Sequence, residues 1–159
     1  MKKKYASLMV AASCVQMLSL APEAHAADLI TAEDPYEILN IAKGFGSANL
    51  KKDSSGDPMI TGRIDGNKYG IFFYGCSDGR NCDEIQFVAA WSGVDASLSD
   101  VNEYNRLRKF GKAYLDSDGD PNLDMIINMD YGITVETLED NFDWWTKIIK
   151  TFETEVLKI

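Results

Sequence analysis

The chain has 159 residues, with 16 Lys and Arg against 25 Asp and Glu, which gives a net charge of −9 at pH 7. Its hydrophobic fraction of 45% and charged fraction of 26% are ordinary for a globular protein, so they exclude disordered, collagen-like and solenoid classes. The acidic balance argues against binding to duplex DNA or to an anionic membrane surface, because both partners need an excess of Lys and Arg on one face. We therefore expect a compact domain without a nucleic-acid partner.

The first 26 residues have the pattern of a secretory signal peptide. Lys2–Lys4 form a basic start, an apolar run follows over Ala6–Leu20, and Ala24-His25-Ala26 places small residues at a cleavage site. The apolar run is too short and too interrupted for stable insertion in a membrane. We predict cleavage after Ala26, a periplasmic location and one domain over residues 27–159.

The alternative to cleavage is a lipid on Cys14, but little apolar sequence precedes that cysteine. Cleavage would also remove His25, the only histidine of the chain. The remaining protein would have no imidazole for Ser-His-Asp or Cys-His catalysis or for a zinc site that uses histidine. We therefore expect no catalytic residues and no cofactor.

Two cysteines remain after the signal peptide, Cys76 and Cys82, on either side of the turn-forming segment Ser77–Asn81. An even pair of cysteines in an exported protein predicts a disulfide bond. The closed loop is short, so the chain-entropy model gives the bridge only about 2 kcal/mol of stabilisation. We interpret the pair as a local structural crosslink.

The first half of the domain reads as one helix followed by strands. Asp34 and Pro35 suit the N-cap and the first position of a helix, and Glu37 completes the capping pattern. Turn residues then separate runs that are rich in β-branched and aromatic side chains. The strands predicted from these runs are Ala48–Asp53, Met59–Asp65, Lys68–Cys76 and Glu84–Trp91.

The second half predicts a helix over Leu98–Phe110, strands over Lys112–Asp116 and Asn122–Asp130, and a final helix over Thr134–Leu157. Apolar residues of the final helix repeat at helical spacing and form one stripe. This stripe contains Leu138, Phe142, Trp145, Ile149, Phe152 and Val156. The predicted fold is α+β, an antiparallel sheet of five or six strands with three helices in the order α-β-β-β-β-α-β-β-α.

Several segments in this order carry a resemblance to a known family. They are Asp34-Pro35, Asp65–Tyr69, Ile85–Trp91, Asn102–Asn105, Arg108–Tyr114, Asp118–Asp120 and Asp143–Trp145. The chain resembles the YbjN-type domain family, which is described as bacterial sensory-transduction regulators, over nearly all of residues 27–159. The resemblance implies a fold similar to type III secretion chaperones and transfers no catalytic residues, since fold alone does not set function.

Asp116, Asp118 and Asp120 occupy positions 1, 3 and 5 of an EF-hand-like loop and suggest weak calcium binding as an alternative. The remainder of the loop does not fit, because Pro121 stands where glycine is needed and Ile127 where glutamate is needed. An Asp-Gly pair between two apolar runs is the usual signal of a hairpin turn. We predict a turn and no metal site.

Surplus apolar residues outside the expected core indicate an interface, because soluble monomers seldom leave such patches bare. These candidate interface residues are Phe72, Tyr74, Val88, Ile126, Trp144 and Ile148. The alternative is that the second helix covers that sheet face and makes all six residues part of the core. A basic cluster in the acidic chain is a candidate docking site for an acidic partner, and it consists of Arg106, Arg108, Lys109 and Lys112.

These observations favour a non-catalytic binding or regulatory module that works through protein–protein contacts, with an unidentified protein or a second copy of the chain as the partner. The alternative is a small-ligand-binding protein or a carboxylate-based hydrolase with an aromatic pocket. Convergent carboxylates in a deep cleft would favour the alternative, and a flat sheet face with aromatic residues would favour the binding module.

Overall fold

A computed structural model describes residues 28–159 of the chain. These residues form three helices, a six-stranded antiparallel sheet and a second sheet of two short strands, which confirms the α+β class and the predicted order of the main elements. In chain order the elements are β1 (Leu29–Ile30), α1 (Pro35–Phe45), β2 (Ser47–Lys52), β3 (Pro58–Ile64), β4 (Asn67–Tyr74), β5 (Glu84–Ala90), α2 (Leu98–Leu107), β6 (Lys112–Leu115), β7 (Pro121–Asn128), β8 (Ile133–Thr134) and α3 (Val135–Phe152), and a π-helical turn (Glu153–Leu157) follows α3.

The strands of the large sheet lie in the order β2-β3-β4-β5-β7-β6, and every neighbouring pair is antiparallel. Strands β2 to β5 follow one another as hairpins. The chain then leaves the sheet through α2 and returns as β6 at the edge, so that β7 fits between β6 and β5. The side chain of Asn105 on α2 both donates to and accepts from the backbone of Ala113, and it thereby occupies hydrogen-bonding groups on the edge strand β6.

Two tight turns follow the predicted turn chemistry. Asp65 and Gly66 join β3 to β4 with φ angles of 47° and 86°, which is the backbone of a two-residue hairpin turn. The loop between β6 and β7 is closed by the carboxylate of Asp116, which accepts hydrogen bonds from the backbone nitrogens of Asp118 and Asp120. Both predicted hairpins are therefore confirmed.

Each helix begins at a side-chain cap. Asp34 accepts a hydrogen bond from the nitrogen of Tyr36, Ser97 accepts one from Asp100, and Thr134 accepts one from Thr137. The first helix ends where the chain must pass close to β3, because a Cβ atom on Gly46 would lie 2.0 Å from the carbonyl oxygen of Arg63. Only glycine fits at that crossing.

The helices pack on one face of the large sheet. The ring of Phe87 on β5 lies 4.9 Å from that of Phe142 and 5.5 Å from that of Trp145, both of which are on α3. Phe45 at the end of α1 stacks on Phe142 at 4.9 Å. On the other side, Tyr104 of α2 lies edge-on to Phe152 of α3 at 5.2 Å. The three helices therefore share one aromatic core with the central strand β5.

The predicted apolar stripe of the last helix is confirmed. All six of its residues are buried, and they lie in the core together with alternate residues of the strands. The buried strand residues at the centre of the sheet are Ile60, Tyr69, Ile71, Phe73, Ile85, Phe87, Ala89, Leu123, Met125 and Ile127. The period of two along each strand leaves the intervening residues on the opposite face.

The second helix is shorter than predicted. It ends at Leu107 instead of Phe110, because the backbone of Arg108 is extended (φ −107°, ψ 135°); the N–H of Arg108 makes the last helical hydrogen bond, to the carbonyl of Tyr104. Gly111 then adopts a φ of 78°, which turns the chain into β6. Phe110 therefore lies in a loop and not in the predicted helix, and its ring stacks against Trp144 with the ring centres 4.6 Å apart.

Two local features were not predicted. Leu29 and Ile30 pair with Thr134 and Ile133 in the small sheet, which joins the start of the described chain to the start of α3. The predicted last helix also changes from α-helical to π-helical hydrogen bonding over Glu153–Leu157. A wider turn shifts the side-chain register, and both Val156 and Leu157 are buried there.

The two neighbouring tryptophans of α3 should differ in their contribution to stability. Trp145 is fully buried against Phe87, whereas Trp144 is 36% exposed. We expect Trp145→Ala to lower the free energy of unfolding by about 3–5 kcal/mol through the cavity that it leaves, and Trp144→Ala to lower it by about 1 kcal/mol. Denaturant unfolding of both variants measures the difference, and equal losses would contradict this packing.

Two buried tyrosines predict a loss of stability at alkaline pH. Burial raises the pKa of Tyr69 and of Tyr104 to about 12, and neither hydroxyl makes a hydrogen bond within the described residues. The unfolded chain releases these protons near pH 10. The contribution of the two tyrosines to stability should therefore be constant below about pH 10 and fall as the pH rises to about 12.

Removing the hydroxyl groups tests this cause. Tyr69→Phe and Tyr104→Phe should fold normally, since they delete a buried group without a partner, and they should make the alkaline decline shallower. Urea unfolding at stepwise pH measures both effects. An unchanged decline in the double variant would show that other groups cause it.

Candidate functional site

The second face of the large sheet carries no helix within residues 28–159 and is called the open face below. Phe72, Tyr74, Val88 and Ile126 all lie on it: Phe72, Val88 and Ile126 each stand between two core residues of their strand, and Tyr74 follows the core residue Phe73 at the end of β4. Phe72 pairs with Gln86, which pairs with Ile126, so these three side chains form one row across the sheet. Ile126 is 59% exposed and Tyr74 is 43% exposed. The second helix therefore does not cover this face.

A polar group lies at the centre of the open face. The side chain of Asp124 is 4% exposed, although it projects from β7 away from the helices. Its Oδ2 accepts a 2.7 Å hydrogen bond from Nε2 of Gln86 and lies 3.4 Å from Nζ of Lys112. Its Oδ1 is buried and has no hydrogen-bond partner within the described residues. The carboxylate is thus fixed from one side by an amide and an ammonium group.

Two tyrosines of the open face are affected by this carboxylate. Partial burial raises the pKa of Tyr114, and the charge of Asp124 raises it further. Partial burial and the same charge also raise the pKa of Tyr74. Both phenols are therefore neutral at physiological pH and present hydroxyl groups on the same face as the apolar side chains of Phe72 and Ile126. This combination suits contact with a protein surface.

Trp144 and Ile148 lie elsewhere, in the helix layer. They line a cavity of about 300 Å³ between the end of α2 and the outer side of α3, called the aromatic groove below. Phe110 stacks on Trp144, and Nζ of Lys147 lies 5.0 Å from the centre of the Trp144 ring. Ile148 is only 6% exposed and belongs to the floor of the groove. The six candidate interface residues therefore form two surfaces.

Phe110 connects the two surfaces around the edge of the sheet. Besides the aromatic groove, it lines a second cavity together with Lys112, Asp124 and Ile126. Strand β6 pairs with β7 only as far as Asp124, so Met125–Asn128 has no strand partner on that side within the described chain. Sequence reasoning placed Phe110 in a helix and so did not indicate this role.

The predicted basic cluster is partly neutralised. Arg106 forms an ion pair with Glu103, Arg108 forms one with Glu155, and Lys112 faces Asp124. Of the four cations, Lys109 is the one without an ion pair among the described residues. Lys147, which the sequence did not single out, joins it at the aromatic groove. Nothing in the sequence indicated that Lys109 and Lys147 lie close together, because their proximity depends on how α2 packs against α3.

The aspartates of the β6–β7 loop act as acceptors for the backbone. Asp116 closes the loop, and Oδ1 of Asp120 accepts a hydrogen bond from the nitrogen of Gly93. Within residues 28–159 no group of three His, Cys, Asp or Glu side chains could hold a metal ion. The geometry thus provides no arrangement that would favour calcium at Asp116, Asp118 and Asp120.

Comparison with known families adds the assignment that the geometry alone cannot make. Residues 35–158 match the family model YbjN, described as "Putative bacterial sensory transduction regulator". The chain belongs to the YbjN family. The match extends from the first helix to the end of the π-helical turn, so both surfaces of this YbjN domain lie within it.

No curated protein and no solved structure matches the chain. The similarity of the YbjN domain to type III secretion chaperones therefore stays a prediction from the resemblance. In the part of the chain that the structure describes, no helix has the length and apolarity needed to cross a membrane.

Carboxylates of the YbjN domain do line a small cavity of about 230 Å³ between α3 and the β3–β4 turn. It contains Asp65 and Glu153, but the two oxygens of Glu153 accept hydrogen bonds from Nε1 of Trp91 and Nδ2 of Asn67. Glu153 therefore ties the sheet to the π-helical turn. The aromatic groove has no carboxylate among its described lining residues. Neither cavity has the pair of free carboxylates that a hydrolase would need.

The predicted disulfide bond between Cys76 and Cys82 is present, and it links the two ends of the loop between β4 and β5. Cys82 is buried at the edge of the core, and the loop contains a small bridge between Ser77 and Arg80. The bond closes the loop at the end of the strands that carry Tyr74 and Glu84. It thus stabilises one end of the open face locally.

Proposed function

We propose that this YbjN protein is an exported, non-catalytic regulatory module that acts by contacting another protein through the open face. The observation that carries the proposal is the exposure of Tyr74 and Ile126 on a sheet face that no helix within residues 28–159 covers, where Ile126 lies in the same row as Phe72. The family description supports a regulatory role. The open face as the contact surface and the periplasm as the compartment go beyond that description and are part of this proposal.

The energetics favour a covered state of this face. Full burial of a side chain such as Ile or Phe stabilises a complex by about 1.5–3 kcal/mol, and soluble monomers seldom expose contiguous apolar patches. On the open face Ile126 lies in the same row as Phe72, with Val88 on the strand between them. The tyrosine hydroxyl groups and the Gln86–Asp124 pair could supply directional hydrogen bonds at such a contact.

Two observations support export. The pattern of residues 1–26, which lie outside the described residues, is that of a cleavable signal peptide. A disulfide bond such as Cys76–Cys82 persists in oxidising compartments and is rare in the cytosol. Together they support a periplasmic module that begins after Ala26.

Site-specific photo-crosslinking in cells tests the proposal. A benzoylphenylalanine residue replaces Tyr74 or Ile126 on the open face, and in the matched controls it replaces Glu37 or Glu139, which are exposed on the helices. We expect a discrete protein adduct from the two open-face positions, located in the periplasmic fraction, and none from the helix positions. The mass of the adduct distinguishes a second copy from a different protein.

A second substitution shows whether the contact depends on the apolar side chain of Ile126. With the crosslinker at Tyr74, Ile126→Lys should reduce the adduct by about tenfold, whereas Tyr131→Lys should leave it unchanged. Tyr131 is a suitable control because it is 90% exposed and lies in the β7–β8 turn. Equal adducts from all positions, or an adduct confined to the cytoplasm, would contradict the proposal.

A further inference from the structure

We propose that the aromatic groove is a second binding site, and that it takes an acidic segment of a partner protein which inserts an aliphatic or aromatic side chain against Phe110 and Trp144. The groove lies in the helix layer, on the other side of the sheet from the open face. The proposal therefore stands independently of a contact at the open face.

The apolar part of the groove is exposed and already assembled. Phe110 is 46% exposed, Leu107 is 53% exposed and Trp144 is 36% exposed, and Phe110 and Trp144 stack at 4.6 Å with an angle of 29° between the rings. Buried Ile148 closes the floor beneath them. A side chain that enters would gain contacts on a rigid aromatic surface without ordering it first.

The charge of the groove is opposite to that of the chain. The protein has a net charge of −9, yet the described residues that line the groove include Arg108, Lys109 and Lys147 and no carboxylate. Arg108 is paired with Glu155 outside the groove, whereas Lys109 and Lys147 have no ion pair among the described residues. The two lysines thus place positive charge, which attracts carboxylates, directly beside the apolar surface.

The size and shape of the groove favour a peptide segment over an extended polyanion. A cavity of about 300 Å³ admits one or two side chains. Long anionic surfaces, such as nucleic acid or a lipid bilayer, would meet the acidic remainder of the chain. An acidic segment with one apolar anchor satisfies both the lysines and the aromatic pair.

Binding of a fluorescent synthetic peptide tests the proposal. The probe is a short peptide in which Asp and Glu alternate with Leu and Phe, and fluorescence anisotropy measures its binding to the disulfide-bonded chain that begins at Ala27. Two control peptides replace the acidic residues by Lys, or the Leu and Phe residues by Ala. We expect binding of the first peptide only, because each control removes one half of the complementarity.

Paired charge reversals locate the site. Lys109→Glu with Lys147→Glu should weaken binding of the acidic peptide by about tenfold or more. The matched control, Lys43→Glu with Lys52→Glu, makes the same change in net charge at exposed positions outside the groove and should have less than a threefold effect. Trp144→Ala should also weaken binding, while circular dichroism confirms that each variant is folded.

Four results would overturn the proposal. These are the absence of binding by the acidic peptide, equal binding of the basic peptide, equal weakening by the two double reversals, and no effect of Trp144→Ala. Sedimentation velocity of the free protein provides a further test: if the groove reversals convert a dimer into a monomer, the occupant is a second copy and not an acidic partner segment. Tyr74→Ala, at an exposed open-face position outside both cavities that Phe110 lines, should leave peptide binding intact, which separates this site from the open face.

Discussion

The packing of α3 against one face of the large sheet is the interaction on which the rest of the structure depends. Phe142 and Trp145 meet Phe87 of the central strand β5, and every other aromatic contact of the core joins this group or its continuation at Phe152. Because α1 and α2 also bury their apolar sides against this layer, the three helices within residues 28–159 lie on the same face of the sheet. The opposite face then carries polar and charged side chains, aromatic rings, exposed Ile126 and a hydrogen-bonded carboxylate. A flat face of this kind suits contact with another surface, whereas ligand and catalytic sites are usually concave clefts.

The same packing creates the aromatic groove. When the stripe of α3 points to the sheet, Trp144 and Lys147 must face outwards, and the loop after α2 brings Phe110 onto Trp144. The loop also turns Phe110 towards the uncovered edge of β7, so the open face and the groove are neighbours although they belong to different layers. The two adjoining surfaces differ in character. The open face combines exposed apolar and tyrosine side chains with the Asp124–Lys112 pair, whereas the aromatic groove combines its aromatic rings with Lys109 and Lys147. Such a difference would distinguish partners by charge as well as by shape. The net negative charge of the chain sharpens that distinction, because it disfavours the approach of anionic segments in general.

Much of this fold could be predicted from the sequence, because its periodicities are clean. The helical spacing of Leu138 to Val156 and the alternation along β7 identify core residues without any tertiary information. The caps at Asp34, Ser97 and Thr134 and the turn at Asp65-Gly66 are equally local. The end of α2 cannot be predicted locally. The helix stops at Leu107 because the chain must turn there to enter β6, and the position of β6 depends on the strand order of the sheet. The groove was beyond prediction for the same reason: Lys109 and Lys147 are far apart in sequence, and only the tertiary pairing of Arg108 with Glu155 shows which cations are left free.

The central claim is that the helices cover one face of the sheet and leave the other accessible in the free protein. Methyl NMR spectroscopy with a soluble gadolinium chelate tests it directly, because relaxation by the chelate reports how closely solvent approaches each methyl group. We expect strong relaxation for the methyl groups of Ile126, intermediate relaxation for Val88, and almost none for Ile71 and Ile85, which alternate with open-face residues along their own strands. Equal protection of Ile126 and Ile85 in dilute solution would show instead that another part of the chain covers the open face.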